Sequence, residues 1–188
     1  MKTRMTGWIA CALALGLAQA AAAGELQGVA VPDKITVDGK DLVLNGLGLR
    51  KAYAVAKVYV AGLYVERKTA SAEEILASPA PRRIVLQFLR SVSRDQIVGA
   101  WNEGFEKNAG DAIAAIRGRI ETLDGFMSDL APGDTLVFTA ILGKGVTVEL
   151  RGKTMGTIEG DDFAKALLSI WLGPSPPNAA LKTGLLGG

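Results

Sequence analysis

Apolar residues in this chain recur at two spacings, every second position in some blocks and every third to fourth in others. The longest apolar run outside the N-terminus covers residues 44–66 and reads NGLGLRKAYAVAKVYVAGLYVE from Asn45. It opens with Gly46 and Gly48, continues through Arg50, and contains no proline. Its β-branched and aromatic content predicts one long strand or a bent pair of strands. Alternation places Tyr53, Val55, Lys57, Tyr59, Ala61 and Leu63 on one face, and Ala54, Ala56, Val58, Val60, Gly62 and Tyr64 on the other. Neither face is consistently polar, so both are expected to be covered.

The flanking blocks follow in order. Residues 23–32 read as an exposed leader. Residues 33–37 read as a short strand, and Asp38-Gly39 as a turn returning the chain through residues 42–44 in a hairpin. Residues 68–78 are polar with a short helical patch. Ser71 is its N-cap, Glu74 the capping-box partner, and Pro79 and Pro81 its stop. Residues 83–90 (RIVLQFLR) read as a buried strand with an arginine at each solvated end. Ser93 caps a helix over about 95–108 whose stripe is Ile97, Trp101 and Phe105. After Gly110 a second helix covers about 111–123, with Ile113, Ile116, Ile120 and Leu123 as its stripe. Residues 134–142 and 146–151 form a hairpin, and residues 154–158 a further strand. Asp161 and Asp162 open a helix through about Trp171 that is apolar nearly all round, so it is expected to be well buried. Gly173 to Pro177 stops it, and residues 178–186 form a short last helix. Strands early and late, with helices between and after them, predict an α+β fold with helices packed on an antiparallel sheet.

Composition changes this picture first at the N-terminus. Lys2 and Arg4, an apolar segment over residues 8–18, and the small residues of 19–23 have the pattern of a cleaved secretory signal peptide. Residues 1–23 are read as that signal and residues 24–188 as one domain, delivered to the periplasm or outside the cell. The apolar segment is too short for a stable membrane span. The one cysteine, Cys11, lies in the signal, so residues 24–188 have no disulfide, thiolate nucleophile or cysteine ligand. The chain has no histidine, which excludes histidine-based triads, histidine-ligated metals and an imidazole switch. Of 21 Lys and Arg, two lie in the signal, so the remaining 19 balance the 19 Asp and Glu. Balanced charge gives no sign of a nucleic acid or an anionic membrane surface as partner. Any chemistry rests on Arg, Lys, Tyr, Ser, Thr or carboxylates, with no cofactor implied.

Candidate motifs are few. The RGKT that ends at Thr154 lacks the earlier glycine of a phosphate loop, Thr147 standing there, and it lies between strands. The acid pairs Glu103/Glu106, Glu121/Asp124 and Asp161/Asp162 fall on helix surfaces or starts. Arg50 is the sharpest candidate, because a guanidinium can hold a carboxylate or enolate with two parallel hydrogen bonds. The phenol of Tyr59 could add a third. The more economical reading of the pattern is an ordinary central strand with Arg50 and Lys57 at its wet ends. Arg50 and Tyr59 are also nine residues apart, so one regular strand puts them on opposite faces unless a bulge or bend intervenes.

Four segments together resemble the chalcone isomerase-like superfamily: GLGLRKAY…KVYVAGLYVE, DQIVGAWNEGFEKN, DTLVFTAILGKGVTVEL and FAKALLSIWLGPSPPNAALKTGLLG. The resemblance implies an open-faced β-sandwich, a large antiparallel sheet with a layer of helices enclosing a cleft. Members of that superfamily either cyclise chalcones or hold a fatty acid in the cleft. In both, an arginine matched here by Arg50 meets the oxyanion or carboxylate. Tyr59 matches the tyrosine of the fatty-acid binders, where the enzymes have threonine. Ile97 and Ala100 stand where the enzymes carry a tyrosine and a lysine, and Ser169 matches a hydroxyl residue that touches flavonoid substrate.

The function this supports is non-enzymatic binding of a small amphipathic carboxylate, a fatty acid foremost. Arg50 holds the head group and Tyr59 assists, while Trp101, Phe105 and Leu167 face the tail. The rivals are an isomerase acting on an unsaturated ketone through Arg50 and Tyr59, and a structural module whose cleft is filled by its own side chains. No protein partner is identifiable.

Overall fold

Three two-residue turns of similar make-up join neighbouring strands. Gln27-Gly28, Asp38-Gly39 and Arg151-Gly152 each place both residues at positive φ, as a tight type I′ hairpin turn requires. The computed structural model describes residues 22–53 and 55–188. All but the last two residues of the segment expected to be a signal peptide, residues 1–23, lie outside them. Residues 23–32, expected to be a leader, instead form a ribbon of β1 (Ala22–Leu26) and β2 (Val29–Pro32) around the first of these turns. The Gln27-Gly28 pair was the signal for it.

The main sheet has seven strands in sequence order, every neighbour antiparallel: β3 (Lys34–Val37), β4 (Lys40–Ala52), β5 (Ala56–Val65), β6 (Arg82–Phe88), β7 (Thr135–Ile141), β8 (Gly145–Leu150) and β9 (Lys153–Ile158). The run at 44–66 is thus two strands of one hairpin. Helices α1 (Ala72–Ala77), α2 (Arg94–Asn108), α3 (Ile113–Phe126), α4 (Asp161–Leu172) and α5 (Ala179–Leu185) complete the fold. The anticipated caps form. Ser71 accepts from the Glu74 amide, and Ser93 and Gln96 make a reciprocal capping box on α2.

The principal core lies between the sheet and the helices. Tyr59, Ala61 and Leu63 of β5 meet Trp101 and Phe105 of α2 and the buried length of α4 there. The opposite face of β5 is covered more locally. Tyr64 packs with Val37, Leu42 and Leu44, with Val31 against them, and its hydroxyl donates to the Pro32 carbonyl at 3.0 Å. Both faces are covered, as the mixed pattern anticipated.

Helix α5 closes one end of the core by lying directly on β4. An alanine Cβ at Gly46 would stand 2.1 Å from the Gly184 carbonyl oxygen, and one at Gly48 would stand 2.4 Å from that of Leu181. Only hydrogen at these two Cα atoms lets the two backbones approach so closely. Leu181 and Leu185 are fully buried in return, each contributing about 1.5–3 kcal/mol of transfer free energy. Buried Asn45 locks the contact, donating to the Leu185 carbonyl at 2.8 Å and accepting from the Thr69 amide at 2.9 Å.

Candidate functional site

The site begins with two register irregularities in β4 and β5. Leu44 pairs with Tyr64 and Gly46 with Leu63, so Asn45 is an extra residue in β4. That bulge moves Gly46, Gly48 and Arg50 to the face that meets the helices. Regular pairing then continues to Arg50 opposite Tyr59. Directly paired residues share a face of the sheet. Arg50 and Tyr59 therefore stand side by side, contrary to the single-strand parity expectation. The reason is the reversal between them: Tyr53 has φ 50°, and its carbonyl accepts from the Val55 amide at 2.8 Å.

Tyr59 is buried, with its ring edge against Phe88, centroids 5.5 Å apart. Its hydroxyl oxygen accepts from Trp171 Nε1 at 3.0 Å. Burial pushes its pKa up to about 12, with the Trp171 hydrogen bond and the Arg50 charge opposing the rise. At neutral pH it is a neutral phenol. One of its lone pairs is taken by Trp171, and its proton remains free to donate.

Arg50 is half-buried. Its Nη1 donates to Asn178 Oδ1 at 3.1 Å and to the Lys51 carbonyl. Asn178 also accepts from the Lys51 amide at 3.0 Å and donates to the Lys51 carbonyl at 3.1 Å, tying the start of α5 to the end of β4. Both acceptors of Arg50 are neutral. Among the described residues Arg50 has no carboxylate ion pair.

Arg50 and Tyr59 line a cavity of about 440 Å³ with Ala52, Tyr53 and Val58 of the hairpin, Arg90, Ser91 and Val92 after β6, and Gln96, Ile97, Ala100, Trp101 and Glu103 around the first turns of α2. A recess of about 120 Å³, lined by Lys107 and Pro176 among others, shares Arg50, Ala100, Trp101 and Glu103 with it. The buried Nε1–H of Trp101 has no acceptor among the described residues. Glu103 is the carboxylate nearby. Its hydrogen bond to Lys107 holds its pKa below the usual range, and it remains charged.

The expected site residues divide. Arg50, Tyr59 and Trp101 converge on the cavity, as do Ile97 and Ala100. Phe105, Leu167 and Ser169 do not line it. Phe105 packs at 5.7 Å from Phe163 in the core, Leu167 is fully buried, and Ser169 Oγ donates to the Lys165 carbonyl at 2.8 Å. Sequence reasoning missed Trp171 and Asn178. Asn178 precedes the last helix after two prolines, which is a capping signal, but nothing local links either residue to β4 or β5.

A larger cavity, about 610 Å³, opens beside α1 and the far end of β5. Its buried cation, Arg82, is 5% exposed and donates to the Ile75 and Leu76 carbonyls at 3.3 and 3.4 Å. That guanidinium closes the end of α1, a structural use of the charge. Arg83, expected at a solvated end, is half-buried and pairs with Glu149 at 2.8 Å. Among the described residues no cluster of three or more His, Cys, Asp or Glu could hold a metal, and no helix is long and apolar enough to cross a membrane.

Residues 23–187 match the family model described as chalcone isomerase-like. This chain belongs to the chalcone isomerase-like family. Among solved structures, it is similar to a fatty-acid binding protein of Arabidopsis thaliana, with a TM-score of 0.66 and 16% identity over 85% of this chain and 92% of that one. At that identity the likeness establishes the fold: an α+β antiparallel sheet with helices, the chalcone isomerase-like architecture. A search of curated proteins finds no match.

Proposed function

We propose that the protein binds a small amphipathic carboxylate, a fatty acid foremost, in the cavity between the β4–β5 hairpin and α2, without transforming it. The carrying observation is the state of Arg50. It is a half-buried cation beside a neutral phenol donor, held by neutral acceptors and lacking a carboxylate partner among the described residues. A ligand carboxylate supplies that partner. Ala52, Val58, Val92, Ile97 and Ala100 offer apolar surface to the tail, and each CH₂ buried there contributes about 0.8 kcal/mol. The family and the Arabidopsis fatty-acid binding protein that shares the fold support the same class of ligand. The tail follows the hairpin and α2, because Phe105 and Leu167 are packed away from the cavity.

The α2 wall offers turnover no unengaged acid or base, because its one carboxylate, Glu103, is charged and held by Lys107. Ile97 and Ala100 carry no titratable proton, and a phenol with a pKa of about 12 is a poor base at neutral pH. The proposal includes export of the chain, its first 23 residues acting as the signal that directs it to the periplasm or beyond. Native mass spectrometry of protein from its exporting cells, wild type beside Arg50→Ala, tests the binding proposal when followed by lipid extraction. A fatty acid on the wild type that is missing from the variant supports it. An empty wild type that ignores added fatty acid counts against it, as does a neutral molecule retained equally by both.

A further inference from the structure

We propose that the tip of the β4–β5 hairpin docks the mouth of the cavity onto an anionic lipid surface. Three large apolar residues stand exposed among the described residues, and two of them, Tyr53 at 95% and Val55 at 80%, are on this tip. Exposed apolar residues scattered singly need no explanation, but two at one hairpin reversal form a local feature. Lys51 and Lys57 flank them, both exposed and paired directly across the two strands. Like charges directly opposite each other are unfavourable in a ladder. A negatively charged surface turns that repulsion into attraction.

The placement fits the same partner. Pairing of β5 with β6 begins only at Tyr59, so the paired ends Lys51–Ala52 and Ala56–Lys57 project beyond β6. Exposed Arg90 lines the same cavity, and none of these three cations has an ion pair among the described residues. The neighbouring acid, Glu103, is engaged by Lys107. Edge lysines alone are explained by protection against strand pairing, but that leaves Tyr53 and Val55 unexplained. An aromatic and an aliphatic side chain ringed by cations match the interface between headgroups and acyl chains. Tyr53 also lines the cavity, so a docked tip sets the mouth at the lipid boundary. The balanced total charge hides this because the asymmetry is local.

Docking is independent of what occupies the cavity, and it is read separately. The exported protein is sedimented with vesicles of phosphatidylcholine containing phosphatidylglycerol, and with phosphatidylcholine alone, at low and high salt. The expected result is binding to the anionic vesicles that falls with salt. Lys51→Gln/Lys57→Gln should weaken partitioning roughly 30-fold, from the typical contribution of a basic residue at such a surface. Val55→Ser should weaken it about tenfold while leaving fatty-acid affinity in solution unchanged. Absence of binding to anionic vesicles at low salt overturns the proposal, as does equal binding by the variants. Self-association abolished by Val55→Ser would assign the tip to a second copy instead.

Discussion

Replacing Gly48 by Ala places a methyl group 2.4 Å from the Leu181 carbonyl oxygen and 2.8 Å from Leu181 Cδ1. The Leu181 side chain can turn aside, but its backbone cannot. Ordinary carbon–oxygen contacts lie near 3.3–3.6 Å, so α5 must lift by about 1 Å. Two routes relieve the clash. A strained shift of the packed helix costs about 1–3 kcal/mol. Complete undocking exposes Leu181 and Leu185, at about 3–6 kcal/mol for the pair. The cheaper route sets the outcome. The restricted unfolded chain of an alanine variant returns at most about 1 kcal/mol. Net of that return, Gly48→Ala is expected to lose about 1–2 kcal/mol, read as a lower urea midpoint at unchanged slope. The helix shift also draws Asn178 away from Arg50, so ligand affinity should fall with stability. Gly118→Ala is the control, because its Cβ meets nothing within 4 Å on the exposed face of α3. It should gain up to about 1 kcal/mol from helix propensity. A Gly48→Ala variant as stable as the wild type would refute the close-approach reasoning.

Other perturbations probe the phenols and the helix layer. Tyr59→Phe strands the fully buried Trp171 N–H and should cost about 1–3 kcal/mol by urea denaturation. Burial pushes both Tyr59 and Tyr64 to about 12, whereas unfolded phenols ionise near 10. The native state thus keeps protons that the unfolded state gives up, and stability should fall as pH rises from about 10 toward 12. Urea midpoints at successive pH values measure this, and Tyr64→Phe should reduce the fall. Asp162 is held down to about 2, first by its hydrogen bonds from Arg119. Its contribution is complete above the ordinary carboxylate pKa near 4 and is lost as pH falls toward 2. Because Asp162 is half-exposed, Arg119→Gln should cost less than about 1 kcal/mol at neutral pH and flatten the acid limb of the stability profile.

Local chemistry made much of this fold legible. Ser71 and Ser93 capped where their side chains could meet amides three residues on, and the stripe of Ile97, Trp101 and Phe105 was buried as its spacing required. Asp38-Gly39 turned as its residue types predict. The failures were those in which one residue type serves two purposes. Gly46 and Gly48 open the long apolar run, and nothing in their residue type announces that they lie within a strand and seat a helix more than 130 positions away. The true reversal passes through Tyr53 and Val55, neither a turn residue by type. That hidden turn misplaced the parity of Arg50 and Tyr59. Trp171 and Asn178 complete the site from distant elements. Phe105 and Leu167 show the converse, since an apolar stripe marks burial without distinguishing packed core from cavity wall.

The claim that Arg50 holds a carboxylate is tested most directly by titrating a long-chain fatty acid and the fatty alcohol of equal length against wild type and Arg50→Gln, following the fluorescence of Trp101 and Trp171. The wild type should prefer the acid by about tenfold to a hundredfold, the value of a hydrogen bond to a charged group. The preference should vanish in the variant while affinity for the alcohol holds. Equal wild-type affinities for acid and alcohol would contradict the account, as would an acid preference that survives loss of the guanidinium.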